Sequence, residues 1–194
     1  MTTLSLKICF MLFWIGTGFI RYPFEKKQKK NKINTDNKTP LEKTLLAGAF
    51  LGLALLPIIY IFTPLFSFAD YALPLWAQII GLVLIPITLW LFYRSHKDLG
   101  QNWSPSLEIR DEHTLINEGV YKKIRHPMYT SIWLWGILQF CLLPNYVAGF
   151  SGIISFGILY FLRVDKEEQM LVKEFGESYK DYMKQTGRLF PKFG

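Results

Sequence analysis

Cysteine is scarce in this sequence, which excludes the classes of protein that depend on it. The 194 residues contain two cysteines, Cys9 and Cys141, each inside an apolar stretch. Small secreted domains held together by disulfides carry more cysteines at short spacings. We therefore expect no disulfide framework, and both thiols should be buried as small hydrophobic side chains.

Charged residues are also few, and their distribution is uneven. They make up 19% of the chain, below the roughly 25% of ordinary soluble domains, whereas 51% of residues are hydrophobic. The long apolar runs lack the polar face of an amphipathic soluble helix. Eight of the Lys and Arg residues lie between Arg21 and Lys43, directly beside apolar segments. This placement is typical of a cytosolic loop of a membrane protein and argues against nucleic-acid binding.

Several catalytic motifs are missing. No glycine-rich loop of the phosphate-binding type is present. The three histidines, His96, His113 and His126, have no metal-ligand spacing, and no cysteine accompanies them. Thr130 and Ser131 follow His126, but without an oxyanion motif for a serine nucleophile. We therefore expect neither a metal site nor a serine hydrolase.

The apolar runs predict an all-α, polytopic membrane protein. We expect about five transmembrane helices, at Leu4–Ile20, Leu41–Phe68, Leu75–Tyr93, Met128–Leu143 and Tyr146–Leu162. The basic loop 21–43 then lies in the cytosol, with the N-terminus outside and the C-terminus inside. Residues 1–93 would form an N-terminal set of three helices, and residues 94–194 a catalytic region. Gly48 and Gly52 have the spacing of a helix-packing motif.

The last two spans predict a helical hairpin with polar residues at its open end. Only Leu143-Pro144-Asn145-Tyr146, a turn signal, separates them. Pro127 suits the first turn of a helix, where its missing N–H costs nothing. In an antiparallel hairpin the start of one helix lies beside the end of the other. We therefore expect His126 to lie near Arg163 and Glu167, although Arg163 and Glu167 alone are a common structural pair.

The motifs around this hairpin resemble those of one enzyme family. Gly-Val-Tyr at 119–121, Arg-His-Pro-x-Tyr at 125–129 and Arg-x-x-x-Glu-Glu at 163–168 are similar to the isoprenylcysteine carboxyl methyltransferase family, and also to the related phospholipid N-methyltransferases. The resemblance covers about Leu99–Pro191 and not the first two spans. The chain is similar to the short, prokaryotic-type members of the family.

The resemblance implies a cytosolic pocket for S-adenosylmethionine, whose product is S-adenosylhomocysteine. Arg163 would bind the acceptor carboxylate, and Arg163 and Glu167 would be the catalytic residues. The implied cofactor-binding residues are Glu108, His113, Thr114, Leu115, Ile116, Tyr121, His126, Pro127, Met128, Tyr129 and Glu167. The implied acceptor is a prenylated cysteine or similar lipidic carboxylate that enters from the bilayer. The implied location is the cell membrane if the source is prokaryotic, with the active site on the cytosolic face.

Three other functions stay open from the sequence. A lipid amine N-methyltransferase would need a base, for which Glu167 or His126 is available. A sterol-type reductase that uses NADPH would need a basic site for the 2′-phosphate, which we cannot identify. In a membrane scaffold without activity, the charges at the hairpin would serve structure alone.

Overall fold

The protein is described here by a computed structural model that covers residues 2–28, 33–36, 39–104, 108–110 and 114–192, with the backbone alone at residues 28, 33–36, 101 and 108–110. In chain order its helices are α1 (Thr3–Gln28), α2 (Pro40–Phe50), α3 (Leu56–Phe62), α4 (Leu75–Leu99), α5 (Pro127–Leu142), α6 (Tyr146–Phe175) and α7 (Glu177–Gln185). Helices satisfy every internal backbone hydrogen bond, as an apolar chain in lipid must.

Four helical segments in the described ranges are long and apolar enough to cross a membrane. They are Thr3–Lys27, Pro40–Phe62, Leu75–Leu99 and Tyr146–Phe175. The α5 helix has 16 residues, about 24 Å, against a hydrocarbon core of about 30 Å. Because α5 packs against both α4 and α6, protein shields much of its surface from lipid. The expected all-α, multi-span fold is confirmed, with α5 shorter than a full span.

Three of the predicted spans have different ends in the structure. The first span continues as a helix eight residues past Ile20 to Gln28, into the predicted basic loop. The second span ends at Phe62 rather than Phe68, because Thr63 is extended and Pro64 follows it. A short 3₁₀ turn, Ser67–Ala69, occupies the rest of that stretch. The α4 helix continues six residues past Tyr93 to Leu99 and ends at Gly100, whose φ is +56°.

The second span contains a π-helical turn, Leu51–Leu55, between α2 and α3. The Gly52 carbonyl there accepts hydrogen bonds from Gln139 Nε2 (3.0 Å) and Ser151 Oγ (2.7 Å). A Cβ atom on Gly52 would lie 2.1 Å from Ser155 Oγ. The predicted packing role is therefore confirmed for Gly52 and wrong for Gly48, where a Cβ would meet nothing within 4 Å.

The opposite ends of the bundle are connected differently. At one end, Asn145 in the hairpin turn donates to Asp70 Oδ1 (2.8 Å) and to the Phe66 carbonyl (2.6 Å). At the other end, strands β1 (Ile33–Asp36) and β2 (Glu108–Arg110) pair antiparallel. The all-α prediction missed this ribbon. It joins the basic loop to the loop after α4, so both polar loops lie on the same side.

The central layer of the bundle consists of α4, α5 and α6, with α1 against α4 and α2 against α6. Buried Phe10 and Phe13 of α1 share one core cluster with Leu138 and Leu142 of α5. The α6 helix continues beyond its apolar part to Phe175 and ends at Gly176, as predicted. Thus α1 and α2 contact different helices of the central layer.

Candidate active site

The open end of the α5–α6 hairpin brings His126 to Glu167, as predicted, and also to Glu168. His126 directly precedes Pro127, the first residue of α5. Its Nδ1 lies 3.7 Å from Glu167 Oε1, and its Nε2 lies 3.2 Å from Glu168 Oε1. A hydrogen on Nε2 can be donated to Glu168. The hairpin therefore assembles an imidazole and two carboxylates from residues about 40 positions apart.

Tyr129 lies one turn into α5 and completes this cluster. Its hydroxyl donates a hydrogen bond to Glu167 Oε2, and its ring stacks on His126 with 5.2 Å between centroids. Tyr160 contacts the same ring edge-on, with 5.6 Å between centroids. These contacts hold the Glu167 carboxylate in place from one side. The side chain of Glu167 stays 22% exposed, so oxygen acceptor capacity remains available to a ligand.

Arg163 lies one helical turn before Glu167, with Nε 3.6 Å from Glu167 Oε2. A pair of this spacing on a helix surface contributes only a few tenths of a kcal/mol. Here the Arg163 side chain is only 8% exposed. Because a buried guanidinium is costly to desolvate, its partners matter far more than they do on a surface. The structure therefore does not support the reading of an ordinary surface pair.

Glu168 serves a different purpose from its neighbour Glu167. Arg125 Nε donates to Glu168 Oε1 at 2.9 Å, and Arg188 Nη2 donates to Oε2 at 2.5 Å. The carboxylate is buried, and the same Oε1 lies next to His126 Nε2. Glu168 thus links the start of α5, the middle of α6 and the C-terminal segment.

The C-terminal segment also pairs with the Arg-His-Pro motif through its backbone. Arg125 N–H donates to the Gly187 carbonyl (2.8 Å), and His126 N–H donates to the Arg188 carbonyl (3.0 Å). The Thr130 hydroxyl donates to the Leu189 carbonyl (2.7 Å). A side chain at Gly187 would lie 1.8 Å from the Phe190 carbonyl oxygen, so only glycine fits. These bonds to the C-terminal segment hold the backbone at His126 in place.

Tyr121 comes from the turn before α5 and lies buried near the end of α4. Its hydroxyl donates to the Ser95 carbonyl (3.2 Å), and its own carbonyl accepts from the Tyr182 hydroxyl (2.6 Å). Burial raises the pKa of Tyr121 well above its usual value, so the phenol stays protonated. Asp98 fixes the same turn by accepting from Val120 N–H (3.0 Å).

A cavity of about 980 Å³ faces this cluster. Most of the predicted site residues line it, namely Thr114, Leu115, Ile116, Tyr121, His126, Met128, Tyr129, Arg163 and Glu167. Pro127 is buried behind the lining. Glu108 belongs to β2, with its side chain outside the description, and His113 lies outside the described residues. The roles predicted for all these residues stay predictions.

The cavity wall contains further residues that sequence reasoning missed. His96, Asn102 and Trp103 line it near the end of α4, and Asn102 Nδ2 donates to the Thr114 carbonyl at 2.9 Å. The polar Leu99–Ser104 stretch was a signal for this part. Apolar residues of α1 and α2, including Phe19 and Phe50, line the far end. No signal identified those, because a cavity-facing apolar residue and a lipid-facing one look alike in sequence.

The described ranges contain no group of three or more His, Cys, Asp or Glu residues that could hold a metal ion. The cluster at the hairpin instead combines carboxylates with guanidinium groups and aromatic rings. Such a set suits an organic ligand that carries charged and hydroxyl groups.

The fold and the site together define a multi-span helical membrane protein with a large cavity that is lined by a charged cluster and by many apolar side chains. Residues 79–173 match the family model described as the isoprenylcysteine carboxyl methyltransferase family. Over these residues, just under half of the chain, the match confirms the resemblance seen in the motifs.

Individual relatives agree with this assignment. A protein-S-isoprenylcysteine O-methyltransferase of Homo sapiens is 31% identical over 121 residues, which are 60% of this chain and 43% of that protein. The Dictyostelium discoideum protein of the same name is 37% identical over 81 residues, which are 40% and 32%. Protein-S-isoprenylcysteine O-methyltransferase B of Arabidopsis thaliana is 24% identical over 77% of each chain. The chain thus spans less than half of the first two relatives.

A solved structure has the same fold. It is that of the eukaryotic intramembrane Ras methyltransferase, an isoprenylcysteine carboxyl methyltransferase, and it superposes with a TM-score of 0.53 at 24% identity. The match covers 81% of this chain and 54% of that one.

Proposed function

We propose that this protein is an S-adenosylmethionine-dependent methyltransferase that esterifies a prenylated cysteine or a similar lipidic carboxylate. The observation that carries the proposal is the continuity of the cavity. Its lining contains both the Arg163–Glu167 pair and apolar side chains of α1 and α2. A reaction between a polar methyl donor and a lipid needs both environments in contact. The names of the relatives support the same reaction.

The charged end fits S-adenosylmethionine, which supplies an electrophilic methyl group on a sulfonium. Glu167 can accept hydrogen bonds from its ammonium or ribose hydroxyls. The faces of Tyr121 and Tyr129 can contact adenine or the sulfonium. Thr114, Leu115 and Ile116 form the adjoining wall. We assign His126, Pro127, Met128, Glu108 and His113 to the same site.

Arg163 faces the cavity and is the cation that we assign to the acceptor carboxylate. That carboxylate is ionised at neutral pH, so its oxygen can attack the methyl carbon without a base. The bound donor would supply the methyl group, its sulfur–methyl bond would break as the ester formed, and no proton would change place. The protein then has to bring two reactants together and exclude water.

The apolar end of the cavity reaches the outside of the bundle between α1 and α2. Ile15 and Phe19 of α1 and Phe50 of α2 line the cavity, yet 42%, 77% and 62% of their surfaces are exposed. Residues that face the cavity and the surroundings together border an opening. We propose that the lipid part of the acceptor enters here from the bilayer, in contact with membrane lipids.

Both halves of the chain contribute to the cavity. Residues 94–194 supply the Arg163–Glu167 pair and most of the lining, and residues 1–93 add apolar side chains of α1 and α2. We place the charged end on the cytosolic face, since the basic loop 21–43 joins the same end through β1 and β2. If the source is prokaryotic, the membrane is the cell membrane.

Calorimetry with S-adenosylhomocysteine tests the cofactor assignment. Wild-type protein in detergent should bind it, and His126→Ala and Glu167→Ala should each bind at least about tenfold more weakly, because each removes a contact worth at least about 1.4 kcal/mol. Asp165→Asn is the matched control, since Asp165 is an exposed carboxylate on the same helix. No heat of binding to the wild type at millimolar ligand would refute the proposal.

The class of acceptor needs a separate assay. Labelled S-adenosylmethionine is incubated with a prenylated cysteine analogue or with an amine phospholipid. We expect a base-labile methyl ester on the first and no product from the second. Transfer to the amine alone would replace the proposed reaction with N-methylation.

A further inference from the structure

Arg163 contacts a second carboxylate, and this one lies outside the family-matched region. Its Nη1 lies 3.6 Å from Oε1 of Glu42, which belongs to α2. The Glu42 side chain is only 5% exposed. The buried guanidinium therefore lies between two carboxylates, Glu42 on α2 and Glu167 on its own helix.

The local sequence explains why a glutamate is buried at this position. Thr39 caps α2, and its hydroxyl accepts the Glu42 N–H at 3.2 Å. Pro40 occupies the first turn, so the start of α2 is well defined. Since α2 packs on α6, Glu42 is directed at Arg163. A buried carboxylate is costly to desolvate, and the nearby guanidinium offsets that cost.

Glu42 contacts Arg163 from outside the cavity lining. Arg163 lines the cavity, whereas Glu42 is absent from its lining. Leu46, Ala49 and Leu53, which follow Glu42 along one face of the second span, do line the cavity. The same helical face therefore contacts the guanidinium at one end and borders the apolar space further along.

We propose that Glu42 is a positioning residue for the methyl transfer, which acts by holding the Arg163 guanidinium between two carboxylates. The inference rests on the proposed function. Without Glu42, the flexible Arg163 side chain would lose the carboxylate of α2 and keep its pairing with Glu167. That pairing would turn the cation away from the acceptor. The N-terminal turn of α2 is thus part of the active-site machinery.

Substitutions at Glu42 separate this role from simple stabilisation. Glu42→Gln keeps the shape and removes the charge, and we expect kcat to fall about 30-fold or more, as for loss of one partner of a buried charge pair. Glu42→Asp should recover a large part of kcat. In both variants the affinity for S-adenosylhomocysteine should change less than about threefold. Lys43→Gln, an exposed neighbour, is the control and should match the wild type.

A double-mutant cycle tests whether Glu42 acts through Arg163. Glu42→Gln combined with Arg163→Ala should be no slower than Arg163→Ala alone, because the group that Glu42 positions is already gone. Additive losses would overturn the proposal. So would Glu42→Gln with the kcat of the wild type, even with a lower melting temperature.

Nuclear magnetic resonance provides a readout that does not require turnover. The Arg163 Nε–H signal is identified by its loss in Arg163→Lys. Its heteronuclear Overhauser effect should indicate a rigid group in the wild type and a mobile one in Glu42→Gln. An equally rigid signal in both proteins would overturn the proposal. If the wild type transfers no methyl group but Arg163 loosens as expected, the proposed function fails while the positioning by Glu42 stands.

Discussion

If the lipid acceptor enters through the proposed opening between α1 and α2, a side chain that fills this space should selectively lower kcat/KM for the acceptor. Gly18 of α1 lines the cavity, and a Cβ atom there would meet nothing within 4 Å. There is therefore open space at the point where the side chain of Gly18→Leu would begin. Gly48 of α2 is the matched control, since it has equal space but does not line the cavity.

The size of the effect follows from the volume exchanged. The substitution adds four carbon atoms to the apolar end of the cavity, which displaces about four methylene groups of a bound lipid. At about 0.8 kcal/mol for each buried methylene, the acceptor loses about 3 kcal/mol of binding free energy. This corresponds to roughly a 100- to 200-fold decrease in kcat/KM for the acceptor.

The assay measures methyl transfer from labelled S-adenosylmethionine to cysteine derivatives whose isoprenoid or alkyl chains differ in length. The decrease in Gly18→Leu should be largest for the longest chain and small for a chain shortened by about four carbons. Affinity for S-adenosylhomocysteine should match the wild type, and Gly48→Leu should have the kcat/KM of the wild type. Equal kcat/KM in the two leucine variants would show that the acceptor does not occupy the space beside α1.

The other predictions concern the acceptor cation, the anchor and the topology. Arg163→Ala should raise the activation free energy by about 2–5 kcal/mol and so lower turnover roughly 30- to 4,000-fold, and Arg163→Lys should recover part of it. Unchanged turnover in Arg163→Ala would refute the assignment of Arg163 to the acceptor carboxylate. Glu168→Gln should destabilise the protein by about 3 kcal/mol in thermal unfolding, whereas the exposed Asp165→Asn should change little; equal melting temperatures would contradict the anchor role. Reporters fused at Asp36 and Asp70 should respond as cytosolic and external, respectively. The reverse result would place the active site on the external face of the membrane.

The residue that contacts the site from outside the hairpin, Glu42, was the hardest to predict from the sequence. His126, Arg163 and Glu167 were found because a tight turn and the helix rise bring the two ends of a hairpin together, whatever else the chain does. Glu42 carried no such signal, since a glutamate in a basic loop is usually solvated. Its burial depends on α2 packing against α6, a contact between segments more than 100 residues apart.

Sequence by itself determined the membrane-spanning helices, the hairpin and the family motifs, because each depends on local apolar length or on residues close in the chain. The family motif also singled out Glu167 and gave Glu168 no role of its own. Only the tertiary structure directed Glu167 into the cavity and Glu168 onto Arg125 and Arg188. It likewise decided which apolar faces of α1 and α2 border a cavity rather than lipid. The physical reason is that hydrophobicity determines burial in an apolar environment, while the choice between lipid and protein depends on how the helices pack.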